Sequence, residues 1–235
     1  MKTLKSITLL ILALLFSITV LADNTPIKKI TKINVVSGEN INYNYTLKYD
    51  SLNRISEIIS DNPEIFGITK LEYATNTFRI GKGDMYVSGS LNEQGYIDIA
   101  EDGNFPVLLV GNMFYNEKGL LSSIENGNEK MLFTWKNDDM VQINFQDEQI
   151  DVTYTTFENK NRFGLFLKID EDNCTPVFPY YTLLGKATQH LPASVGQGEQ
   201  KISYQYKIDK DGFVTEIAMI YPDNGKTVFY RFAYD

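Results

Sequence analysis

A seven-residue phrase recurs along the chain. A large apolar residue closes a strand, a polar turn rich in Asp, Asn or Gly follows, and a strand restarts on an apolar residue. The phrase runs Tyr49–Ile55, Leu91–Ile97, Tyr115–Leu121, Trp135–Val141 and Ile208–Val214. Its fifth place holds Asn53, Gly95, Gly119 and Gly212 in four of these five cases. A hairpin loop of this length needs one residue of positive φ, which Gly adopts freely and Asn tolerates. These four are structural turn residues on this reading, and the chain is a run of β-hairpins.

The stretches between the turns alternate with period two. In Ile41–Tyr49 every odd position is apolar or aromatic and every even one polar, and similar alternation runs through Ile202, Tyr204, Tyr206 and Ile208 and through Val228, Tyr230, Phe232 and Tyr234. That period marks strands with one covered and one wet face. Short turns join antiparallel neighbours, so the expected fold is all-β: a large curled antiparallel meander, half-barrel or barrel-like. One stretch breaks the rhythm, from about 163 to 195. Its apolar cluster, its Pro residues at 176 and 179 and Gly185 predict a short helical or loop insert that covers the apolar face.

Lys2 and Lys5, an apolar run from Ile7 to Phe16 and the small-residue exit at Ala22 have the layout of a secretory signal peptide. The expectation is cleavage after Ala22 and a single all-β domain over 23–235, exported to the periplasm or beyond. No cysteine stands at the cut to carry a lipid. The leader holds two lysines and no acid, so its removal takes the formal net charge from −8 to −10. Nucleic acid and anionic lipid surfaces are excluded as partners, because phosphate contacts need clustered Lys and Arg.

Chemistry-bearing patterns are sparse. Cys174 is the lone cysteine and His190 the lone histidine; as a pair they lack the strand-turn-helix setting of a nucleophile, and an incidental thiol is the better reading. Asp209-Lys210-Asp211-Gly212 resembles a calcium loop, but aligning Gly212 with the loop glycine puts Lys207 and Ala218 at ligand positions, so hairpin chemistry explains it better. Asp170-Glu171-Asp172 reads as a solvated loop. No metal or other cofactor is expected, and no catalytic constellation stands out, so the chain reads as a non-enzyme.

The aromatics at alternate positions are the remaining lead. They serve as core, or line a concavity that holds an apolar or sugar-like ligand. A ligand lodged between insert and sheet would meet Phe166, Phe178, Tyr181 and Leu184 together with Tyr204 and Tyr206. Another envelope protein is the alternative partner. Two rival functions stay open: an integral outer-membrane β-barrel, whose strands would alternate apolar-out and polar-in, and a carbohydrate-active enzyme using two of the thirty acids.

The repeated turns, the phrase Leu132-Phe133-Thr134-Trp135-Lys136-Asn137, the block from Leu183-Leu184-Gly185 to Leu191-Pro192-Ala193-Ser194-Val195 and the ending from Tyr204 to Ile217 together resemble an exported family typical of Bacteroidetes-type gut bacteria, a domain of unknown function described as having a porin-like fold. The resemblance spans nearly all of the chain after the leader, most firmly 115–235. It implies the fold and no site residues. Some such exported domains carry a lipoprotein cysteine that this chain lacks.

Overall fold

A computed structural model describes residues 28–39, 41–62, 67–101, 110–162, 182–223 and 225–235. Sixteen strands occur among them: β1 (Ile30–Ser37), β2 (Ile41–Tyr49), β3 (Ile55–Ser60), β4 (Ile68–Tyr73), β5 (Thr77–Lys82), β6 (Met85–Leu91), β7 (Ile97–Glu101), β8 (Gly111–Tyr115), β9 (Leu121–Asn126), β10 (Glu129–Lys136), β11 (Asp139–Phe145), β12 (Glu148–Glu158), β13 (His190–Gln197), β14 (Gln200–Ile208), β15 (Val214–Ile220) and β16 (Thr227–Tyr234). Each pairs antiparallel with its neighbours in sequence. Strand β1 also pairs with β16, Ile33 opposite Phe232 and Val35 opposite Tyr230, and the sheet closes into a barrel. The expected meander is met in its closed form, which leaves no sheet edge to pair with another chain.

Alternation decides which face is inside. Along β2, Tyr45 and Leu47 are buried while Asn42, Asn44, Thr46 and Lys48 are exposed; along β14, Ile202 and Tyr204 are buried while Ser203, Gln205 and Lys207 are exposed. One hydrophobic core draws a buried residue from every strand, Ile33 in β1 and Tyr230 in β16 included. Ile33, Val35, Ile80, Val87 and Leu191 are 0% exposed, so side chains and not water fill the space around them. The outward face carries ion pairs, Lys48 to Glu57 at 2.8 Å and Glu216 held between Lys207 and Arg231 at 2.7 Å each. An exposed pair such as Lys48–Glu57 contributes roughly 0–1 kcal/mol, and the two partners of the buried Glu216 chiefly offset its desolvation, so burial of the inner face supplies the stability.

Four of the five phrases fold as one device. Asp50, Asn92, Asn116 and Asp209 each accept, on one side-chain oxygen, the backbone N–H groups two and four residues ahead at 2.9–3.1 Å. The N–H of Asn53, Gly95, Gly119 or Gly212 then closes on the carbonyl of the same residue, with φ between 63° and 88°. The first and last residues of the phrase pair across the strands, as Tyr115 with Leu121 and Ile208 with Val214. The fifth phrase departs from the expected form. Trp135 pairs with Met140, and Asn137 and Asp138 both take positive φ, at 53° and 61°, in a two-residue hairpin loop. Asp139 stands at the fifth place there, already in the strand.

A second repeat lies just inside these turns. An aromatic in the second half of an even-numbered strand donates a hydrogen bond to a carbonyl at or near the start of the strand before it. Tyr49 donates to Ile30, Tyr73 to Ile55 and Tyr115 to Ile97, at 2.8, 3.1 and 2.6 Å. Trp135 donates through Nε1 to Leu121, Tyr154 to Met140 and Tyr206 to Pro192, each at 2.7 Å, and Tyr234 donates to Val214. Only the β5–β6 hairpin departs among the described residues: β6 closes on Leu91, which has no polar tip to donate. Each ring fills the barrel end while its polar tip satisfies a carbonyl. Strand β13 takes up residues 190–195, which the broken alternation around Pro192 had left in the insert; Pro192 sits beside a register shift, where a missing N–H is tolerated.

Burial raises the pKa of these phenols, to about 12 for Tyr49, Tyr73 and Tyr234 and further for Tyr115 and Tyr154. The unfolded chain releases those protons near pH 10 and the folded chain holds them, so stability is complete below about pH 10 and is lost as pH rises from there toward the folded values. Urea unfolding should show a flat stability from pH 7 to 9 and a fall of up to ~1.4 kcal/mol per pH unit per tyrosine above pH 10. Tyr115→Phe, which orphans the Ile97 carbonyl, should cost about 1–2 kcal/mol at pH 7 and flatten the alkaline fall. Unchanged stability up to pH 11.5 in the native sequence would contradict burial of the phenols.

Candidate functional site

The end of the barrel that carries these turns also carries residues 159–162 and 182–189 and the residues flanking the barrel, Lys28, Lys29 and Asp235. Residues 182–189 form a strap across three successive hairpin tips. The Leu183 carbonyl accepts from Ile97 N at 2.8 Å, Lys186 N donates to Gly119 O at 3.0 Å, and Gln189 N donates to Asp138 O at 3.1 Å. Leu183 and Leu184 are buried in the core. Gly185 makes the crossing feasible: it has φ 98°, and a methyl group added to it would stand 2.9 Å from the Gly119 carbonyl oxygen and 2.9 Å from the Tyr115 ring. Gly185 is one of the residues from which the sequence predicts a short helical or loop insert; the described part of that insert is non-helical, and close approach is what the glycine serves.

Between the strap and the first three strands lies a cleft of about 980 Å³. Ile30, Leu47, Tyr49 and Ile55 give it an apolar floor, and Tyr96 lines it below the strap. Among the described residues its charged lining comprises Lys28, Lys29, Arg162 and Lys186 and one acid, Glu158. Two of the cations are occupied. Lys28 Nζ lies 2.8 Å from Asp209 and 2.7 Å from Asp211, and the hydrogen bond from Lys28 holds the Asp209 carboxyl below the usual range. Lys29 Nζ donates to Asn53 Oδ1 at 2.6 Å and lies 5.5 Å from the Tyr49 ring centre. Arg162, at φ 51°, and Lys186 make no side-chain ion pair or hydrogen bond among the described residues.

Polar groups at the back of the cleft fix its walls. Asn159, buried, donates through Nδ2 to the Thr188 carbonyl at 3.2 Å. Asn161 accepts from Val214 N at 2.8 Å and donates to the Tyr234 hydroxyl at 2.6 Å. Beside the strap, His190 sits with Nδ1 2.7 Å from Asp139 Oδ2, and its N–H donates to Asp139 Oδ1 at 2.9 Å.

Three of the sequence-derived ligand-binding candidates lie among the described residues. Phe166, Phe178, Tyr181, Cys174 and the acidic patch at 170–172 lie outside the described residues. Leu184 and Tyr204 are core residues and Tyr206 is spent on Pro192, and none of these three lines the cleft. Asp209 is committed to its turn and to Lys28, which accounts for the calcium-like spacing. Among the described residues no cluster of three His, Cys, Asp or Glu side chains is placed to hold a metal. Sequence reading missed Lys28, Lys29, Arg162 and Lys186, since nothing in a sequence distinguishes a lysine at a barrel mouth from one on the wall.

The fold is similar to that of a porin-like protein from Bacteroides uniformis ATCC 8492: the two structures superpose with a TM-score of 0.63 at 18% identity over 88% of this chain and 98% of that one. A second porin-like protein, from Bacteroides vulgatus ATCC 8482, aligns over 88% of this chain and 99% of its own at 14% identity and a TM-score of 0.47. No family model and no curated protein matches the chain. The porin-like architecture expected from sequence is therefore present, as a closed antiparallel barrel.

Gly185→Ala should destabilise the strap by about 2–4 kcal/mol, combining positive-φ strain with contact against backbone that cannot yield. Leu184→Ala should cost a similar ~2–4 kcal/mol through the cavity it leaves. By contrast, Lys28→Ala should change stability little, because an exposed ion pair is screened by water. Chemical denaturation of the three variants measures all of this; a neutral Gly185→Ala would show that the strap does not press on the Gly119 turn.

Proposed function

We propose that this chain is a soluble, exported, non-enzymatic barrel that holds a small molecule in the cleft under its strap. The observation that carries the reading is the direction of the alternation. A barrel that spans an outer membrane presents an apolar band about 25 Å tall to lipid and keeps polar residues inside. Here Asn44, Thr46 and Lys48, Lys130, Thr134 and Lys136, and Ser203, Gln205 and Lys207 face outward, while the inward residues form the apolar core. Transferring such an outer wall into hydrocarbon would strand charged and amide groups at a cost of several kcal/mol each near the midplane.

Outward apolar side chains exist on the strands, at Ile68, Met85, Tyr86, Phe114, Leu132 and Phe157; Phe114 and Leu132 flank Ser123 on β9, and the exposed Asn112, Lys130 and Thr134 interrupt them along their own strands. Export is supported by the signal-like first 22 residues. A binding role is supported by the size of the cleft, within the ~300–1,000 Å³ span of small-molecule sites, and by its mixture of an apolar floor with a few polar groups. A non-catalytic role is supported by the commitments of Asn159, Asn161 and Asp209 to strap and turn geometry.

Cells producing the native chain should release it in the periplasmic or extracellular fraction without detergent, with an intact mass that starts at or near Asp23. Purified without detergent, it should run as a monodisperse species. Retention in the outer membrane after carbonate washing, with extraction only by detergent, would overturn the reading in favour of a membrane barrel.

A further inference from the structure

We infer that the cleft selects an anionic amphiphile, a carboxylate or phosphate head on an apolar body; this rests on the binding reading above. The chain has a formal net charge of −8, yet the charged lining of its cleft is four cations to one acid among the described residues. The cations come from separate parts of the chain: Lys28 and Lys29 lie ahead of β1, Arg162 follows β12, and Lys186 is on the strap.

Their states differ in a way that points to a ligand. Lys28 is neutralised by Asp209 and Asp211, and Lys29 is bound to Asn53. Arg162 and Lys186 line the same cleft with donors unspent among the described residues, and the strap bearing Lys186 is tied to the Gly119 turn by its own backbone. Both are exposed at the rim of the cleft, where an arriving anionic head meets them with charge-assisted hydrogen bonds while its body reaches the apolar floor. Below them, Leu47 is 5% exposed and Ile30, Tyr49 and Ile55 continue the apolar surface into the barrel mouth. A sugar brings no charge to match the two cations, and a cationic amphiphile would be repelled by them. A headgroup bound by the Arg162 guanidinium and the Lys186 ammonium, with its apolar part on that floor, satisfies both halves of the cleft.

Calorimetric titration of the native protein, below the micelle concentration of each probe, tests this with three dodecyl compounds of one tail length: dodecanoate, dodecyl phosphate and dodecyltrimethylammonium. Binding of either anion at least tenfold tighter than of the cation supports the assignment, and the stronger of the two identifies the head. Arg162→Gln and Lys186→Gln should each weaken anion binding about tenfold or more, the scale of a lost charge-assisted hydrogen bond, and leave the unfolding midpoint unmoved. Lys48→Gln, on the outer wall, should change nothing. Equal binding of all three probes, or anion binding insensitive to both cleft substitutions, would overturn the anion assignment and leave a binding role intact. No binding of any dodecyl compound by the soluble protein would overturn the amphiphile assignment. Recovery of the chain only in membranes would remove the binding reading itself.

Discussion

The structure depends on one constraint, the burial of a single apolar face by a sheet with no ends. Sixteen strands alternate strictly enough that each contributes to one core, and the pairing of β1 with β16 lets that face turn wholly inward. Once the aromatic and aliphatic positions are enclosed, the polar positions between them necessarily become the outer wall. The same period-two rule builds membrane barrels with the opposite sense, so the sense of alternation carries more information about environment than the architecture does. Likeness to porin-like proteins at 18% identity speaks to the architecture.

Closure leaves two barrel ends, and the chain treats the turn end as a built surface. The side-chain oxygens of Asp50, Asn92, Asn116 and Asp209 organise its loops, and a row of Tyr and Trp polar tips satisfies the carbonyls just beneath them. Over this rim the strap is bound by main-chain hydrogen bonds at Leu183, Lys186 and Gln189, and Leu183 and Leu184 are seated in the core. The cleft is what remains open between the strap and the first strands. Its walls are therefore as rigid as the hairpins that make them, and its charges are placed by elements from opposite ends of the sequence.

Much of this was legible in the residues. The four phrases containing Asn53, Gly95, Gly119 and Gly212 foretold turns that recur in atomic detail, because positive φ and an Asx side chain are local requirements. The alternation in 41–49 and 200–208 gave strands with the correct buried side, since burial on one face is also written locally. The fifth phrase misled because its five-residue spacing hid an Asn-Asp pair able to form a tighter loop. Strand β13 was missed where Pro192 and Ala193 blur the period. The cleft was illegible for a different reason: Lys29 and Arg162 are more than a hundred residues apart, and only the register of a closed barrel brings them to one mouth. Aromatic residues such as Tyr204 and Tyr206 were conspicuous in the sequence, and the fold spends them on core packing and carbonyl satisfaction instead.

The sense of the barrel wall is the claim on which the account of environment, core and cleft all turn. It can be read directly by thiol accessibility in the native protein. Single cysteines would be introduced at the outward positions Thr46 and Gln205 and at the inward positions Ile33 and Ile202, in a Cys174→Ser background. A membrane-impermeant maleimide should label Thr46→Cys and Gln205→Cys within minutes in detergent-free buffer, and Ile33→Cys and Ile202→Cys only after denaturation. Rapid labelling of the inward pair with protection of the outward pair would show that the wall faces the other way, and the account would fail at its root.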